Sequence, residues 1–188
     1  MKSILLFCFL LSFTTLSQKI DYNNFNFTLL ETKVLYQINT YRKSLGLCEL
    51  YSSKTLRDSV SDKTSTLNSK QDSPFHLEMD VNNEGLNTML YSELFNFTNG
   101  KCGSKNPSIL FIDQSAEIIS MAEGNFLTYD DLSKSIFNGW LSSKNHKLTI
   151  ESMFKDPNGF SGMISCSVKK SKSNKIYTTV NFVTVGYF

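Results

Sequence analysis

The sequence predicts an α+β domain in which helices cover a small antiparallel sheet. Apolar residues recur at three- and four-residue spacing near residues 30–41 and again over 132–140. From residue 160 onward the pattern changes to loose alternation rich in Val, Ile, Thr and aromatics. Strands that follow helices and carry an apolar face need those helices as a cover. The chain has 188 residues, enough for one domain with a full core.

The first segment stands outside that domain. Met1-Lys2 gives a short basic start, Ile4 to Leu11 reads ILLFCFLL, and Phe13 to Ser17 turns small and polar. This is the layout of a secretory leader, and the run is short for a bilayer span. The expected cut lies between Ser17 and Gln18. Residues 1–17 are then a signal peptide, 18–27 a loosely packed lead-in, and 28–188 the folded domain. Cys8 sits inside the apolar run and is not read as a lipid-bearing first residue. Export places the mature chain outside the cytoplasm, secreted or periplasmic, with no further membrane span.

In the domain, Thr28 and Glu31 have the spacing of a capping box. A helix should follow to about Ser44, with Leu30, Val34, Ile38 and Tyr41 along one face. Gly46 suits the left-handed residue that closes it. Ser52 or Ser53 caps a second helix over about 54–68, with Leu56, Val60, Thr64 and Leu67 as its stripe. Gln71 to Pro74 is a loop, 84–93 a short helix, and 99–107 another loop. Ile109 to Ile112 and Ser115 to Met121 are two short apolar segments. Thr128 and the acidic pair Asp130-Asp131 open a third clear helix with Leu132, Ile136, Phe137 and Trp140 on one face. It stops near Ser142. Phe160 to Val168 and Ile176 to Tyr187 form a terminal antiparallel hairpin. Leu35, Ile38, Leu56, Ile136, Trp140, Phe160, Ile164, Val180 and Phe182 are the expected core.

Charge excludes some functions. The formal net charge is +2, and losing Lys2 with the leader leaves about +1. Lys169, Lys170, Lys172 and Lys175 lie in a Ser/Asn-rich turn, where solvation explains them. No basic face for nucleic acid is present. The mature chain keeps Cys48, Cys102 and Cys166. Export permits a disulfide, and the odd count leaves a thiol over. One pair should close, and the spacing does not choose which; Cys166, in a strand, equally reads as an inert buried thiol.

Three groups can carry chemistry: His76, Glu117 and His146, the two imidazoles being the chain's two histidines. Two imidazoles and a carboxylate can bind zinc or pass protons. Their wide separation matches no local metal motif. The plain alternative is three half-buried polar groups bonded to backbone, with His146 in SSKNHKLTI a structural residue at a helix end. The sequons Asn26-Phe27-Thr28 and Asn96-Phe97-Thr98 are expected by chance in an Asn-rich chain.

The order of motifs resembles the CAP superfamily, also called SCP-like (the cysteine-rich secretory/antigen 5/pathogenesis-related-1 domain), in a divergent bacterial form. Asn39, Arg42, Gly46, Leu47 and Leu50 resemble its opening "N-x-x-R-x-x-x-G-L-x-x-L". His76 after Pro74-Phe75 resembles its first histidine, and Ala116-Glu117-Ile118 its Gly-Glu-Asn. Trp140 to Ile150, WLSSKNHKLTI, is similar to "W-x-x-S-P-G-H-R-x-N-I-L". Phe160-Ser161-Gly162 and Tyr177 to Phe182 resemble the closing strands. The resemblance implies an α-β-α sandwich with His76, Glu117 and His146 in one cleft. It implies His76 and His146 as candidate ligands of a divalent metal such as zinc. Departures are Ser143 in place of a second glutamate, Ala116, Ile118, Lys147 and Thr149. Two functions stay open. One is a non-catalytic extracellular binding module, with lipid a candidate ligand. The other is a metal-assisted, peptidase-like hydrolase with Glu117 as the catalytic base. The absent second glutamate favours the first.

Overall fold

A computed structural model describes residues 17–77, 79, 83–95, 110–152 and 161–187. In chain order the elements are α1 (Phe27–Ser44), β1 (Tyr51–Ser52), α2 (Lys54–Leu56), a π turn (Arg57–Ser61) and α3 (Asp62–Gln71). Then come α4 (Glu84–Phe95), β2 (Leu110–Ala122), α5 (Tyr129–Ser142), α6 (Lys144–Ser152), β3 (Ser161–Lys170) and β4 (Ile176–Tyr187). The strand order is β1-β3-β4-β2. β4 runs antiparallel to both β3 and β2, and the two-residue β1 adds a parallel edge. From Leu110 on, the two apolar segments expected at 109–112 and 115–121 lie in one long strand, with an irregularity between Ile112 and Gln114; Ile109 lies outside the described residues.

Strand alternation divides the sheet into two inner faces. One presents Ile118, Ile164, Cys166, Val168, Val180 and Phe182, packed with Leu30, Val34 and Ile38 of α1, Leu132, Ile136 and Trp140 of α5, and Ile150 of α6. The other presents Met163 and Val183 to Leu56, Val60 and Leu90. Helices on both faces make the α-β-α sandwich. Each fully buried Leu, Ile, Val or Phe contributes about 1.5–3 kcal/mol through removal from water. Of the expected core, Leu35 is half-buried against the first face and Phe160 lies outside the described residues.

Several local readings change. Asn26, not Thr28, caps α1, its side chain accepting from the Leu29 N–H at 2.9 Å. Glu31 is buried and faces inward. It accepts two bonds from Arg57, at 3.0 and 2.9 Å, and one from the Val168 N–H at 3.0 Å. A carboxylate there satisfies a strand-edge donor that would otherwise stay unpaired. The lead-in is packed rather than loose. Lys19 bridges to Thr128, the Tyr129 N–H donates to Gln18 O, and Phe25 is buried against Tyr129. The second helical stretch runs on to Gln71 and contains the π turn. Ser53 caps it, accepting from the Leu56 N–H at 3.0 Å while its own hydroxyl donates to Glu93 at 2.7 Å. Gly46 has φ +73°, the left-handed geometry that closes α1. Cys48 is disulfide-bonded, while Cys166 is free and buried, and burial pushes its thiol well above the usual range. Cys102 lies outside the described residues.

In SSKNHKLTI, Ser142 ends α5 as expected, but His146 does not end a helix. The chain is extended at Ser143 and then starts α6, so His146 sits in that helix's first turn. The opening motif holds α6 in place. Arg42, fully buried, donates through Nη1 to Ile150 O at 2.6 Å and through Nε to Cys48 O at 3.0 Å. Asn39 exchanges two bonds with the Leu50 backbone, at 3.0 and 2.9 Å, and the Tyr41 hydroxyl donates to Glu151 at 2.5 Å. Arg42→Ala is expected to cost about 3 kcal/mol or more, because it removes the donor to the buried Ile150 carbonyl, loses the bond to Cys48 O and opens a void. Chemical denaturation measures the loss; amide shifts of 144–151 show whether α6 moves with it.

Candidate functional site

The candidate site is built on one row of the sheet. Glu117 of β2 is paired with Asn181 of β4, and Asn181 with Ser165 of β3. Alternation turns all three toward the helical stretch 54–71. That stretch offers polar side chains in return: Ser61, Thr64, Ser65 and Asn68 are all buried. Ser61 and Ser65 lie one residue past the Leu56–Val60 stripe. The π turn accommodates the extra residue and lets both sets face the sheet.

Glu117 is the centre of this layer. Its side chain is 7% exposed. Oε2 accepts from the Thr64 hydroxyl at 2.9 Å and from Asn181 Nδ2 at 3.1 Å. Oε1 accepts from the Leu77 N–H at 3.2 Å and pairs with His76 Nδ1 at 3.0 Å. Four partners occupy the positions that a carboxylate offers. His76, on the segment after α3, is 59% exposed and stands over the carboxylate.

His146 approaches from α6 and is half-buried. Burial lowers its pKa below the ordinary 6.5, and the nearby charge of His76 lowers it further. The structure therefore brings His76 and Glu117 into direct contact and sets His146 in the same electrostatic neighbourhood. As pH falls below 6.5 the unfolded chain binds the His146 proton first, so stability declines until the depressed folded pKa is passed. Denaturant midpoints between about pH 7.5 and 5 should fall less in His146→Asn than in the parent protein.

The donor set does not suit a resident zinc ion. Among the described residues no group of three or more His, Cys, Asp or Glu is placed to hold a metal. Glu117 is filled by its four partners, which leaves two imidazoles and half of a tetrahedral shell. The carboxylate acts on His76 instead of on an ion.

The sequence singled out His76, Glu117 and His146 but missed the layer beneath them. Ser61, Asn181 and Ser165 carry no motif. Their signal was polar residues on inward phases: Ser165 and Ser167 in β3, Thr179 and Asn181 in β4, facing Ser61, Thr64 and Ser65 at helical spacing.

No protein-family model and no curated protein matches the chain. Solved structures do. The chain is similar to an outer surface protein from Borrelia burgdorferi, with a TM-score of 0.52 and 16% identity over 89% of this chain and 97% of that one. It is also similar to an extracellular protein containing a SCP domain from Bacillus anthracis, with a TM-score of 0.48 and 14% identity over 84% of this chain and 41% of that one. At this low identity the Borrelia structure shows a shared fold, and in this chain that fold is the expected α-β-α sandwich, with helices on both faces of a four-stranded sheet.

Proposed function

We propose that the chain is exported and works outside the cell as a non-catalytic binding module, with its ligand held at the cleft of His76, Glu117 and His146. The observation that carries this is the filled carboxylate. A general base needs a free oxygen for the proton that it takes. Glu117 spends both oxygens on Thr64, Asn181, Leu77 and His76. It serves the imidazole, and the imidazole faces solvent. Among the described residues no helix is long and apolar enough to cross a membrane. An extracellular setting accords with the leader read over residues 1–17 and with the printed name of the Borrelia protein.

Lipid is the candidate ligand, and phospholipid vesicles with and without sterol are the first probe. Co-sedimentation that is lost in both His76→Ala and His146→Ala supports the reading. Binding that survives both variants moves the ligand elsewhere on the molecule. Peptide hydrolysis that vanishes with Glu117→Ala would replace the binding module by the hydrolase. N-terminal sequencing of exported protein tests the cut before Gln18, and an intact Met1 on exported protein would refute it.

A further inference from the structure

We infer that Ser61, Thr64 and Asn181 are positioning residues that fix His76 as the tautomer with its proton on Nδ1, leaving a bare Nε2 turned to solvent. This deepens the reading of the cleft as a ligand site and rests on it, since a bare Nε2 is what a ligand would meet.

A carboxylate only accepts, so each partner of Glu117 has to donate. Nδ1 of His76, 3.0 Å from Oε1, therefore carries the proton, and in the neutral ring Nε2 carries none. Asn181 could turn its amide either way; its neighbours decide. The Ser61 hydroxyl donates to Asn181 Oδ1 at 2.6 Å, which points Nδ2 at Glu117 Oε2. Ser61 is free to do so because Ser165, 2.6 Å away, can supply the donor that Ser61 Oγ accepts. Thr64 adds the second bond to Oε2. The direction of every bond in the row is thus set from Ser165 outward to His76. All four supporting side chains are buried. Water therefore does not compete with the row, and a wrongly turned donor would be costly. The π turn matters because it places Ser61 on this row.

Nitrogen chemical shifts of the imidazole rings read the tautomer directly and need no ligand. In the purified full chain at a pH where His76 is neutral, Nδ1 should show the protonated shift and Nε2 the bare one. Asn181→Leu and Thr64→Val should each move the Nδ1 signal toward the unprotonated position. Glu117→Gln should move it further. Far-ultraviolet circular dichroism reports whether each variant is folded. If Asn181→Leu fails to fold, the isosteric Thr64→Val decides. A parent protein with the proton on Nε2 overturns the inference, and so does a folded Thr64→Val with the parent's shifts. Loss of vesicle binding is a separate matter: it can fail while the tautomer holds, and then the cleft is ordered for a different ligand.

Discussion

Trp140→Ala is expected to lower the unfolding free energy by about 3–5 kcal/mol, the range for emptying a large aromatic site in a packed core. Trp140 is 1% exposed and belongs to the main core cluster. Its indole N–H donates to Ile119 O at 3.1 Å, tying α5 to β2 two residues from Glu117. Truncation removes the packing and strands that carbonyl. Trp140→Phe separates the two effects. It keeps much of the volume and loses the donor, so it should cost about 1–3 kcal/mol. Urea unfolding of the three proteins is the measurement. Equal losses for Ala and Phe would mean that the hydrogen bond, not the packing, makes Trp140 important.

Glu117→Ala is expected to cost about 3 kcal/mol or more, because it leaves buried donors without an acceptor. Thr64 and Asn181 are 0% and 2% exposed, so little water can replace the carboxylate. His76 is exposed and should lose its fixed orientation at little energetic cost. An unchanged denaturation midpoint would show that the polar layer relaxes around the gap, and Glu117 would not be its keystone. A higher midpoint would mean that the carboxylate is kept against stability for the sake of the cleft.

The two variants probe different layers of one sheet, and the sequence treated those layers unequally. The apolar face was legible. Leu30, Val34 and Ile38, and Leu132, Ile136 and Trp140, recur at helical spacing because a helix facing a core must repeat its apolar residues. The polar face was not. Thr64 was legible as a stripe position, yet its partner Glu117 lies 53 residues away and its partner's partner, Asn181, 64 further on. Glu31 shows the same limit. Its spacing from Thr28 fits a capping box, but the helix begins with Asn26 as cap, and Glu31 turns in to meet Arg57 and Val168.

Local spacing alone determined the helices α1 and α5, the start of α5 after Thr128, the terminal hairpin of β3 and β4 and the left-handed turn at Gly46. Each depends on residues a few positions apart, where steric preference and burial period act directly. The resemblance of the motifs added His76, Glu117 and His146 as one set. Only the tertiary structure decided that His146 opens α6 instead of closing α5, that the stretch 54–71 carries a π turn, and that Glu117 is saturated. Those outcomes depend on which strands become neighbours: β4 between β2 and β3 brings Asn181 beside both Glu117 and Ser165. Strand order is a property of the whole chain, because a buried polar side chain takes the partner that the fold sets opposite it.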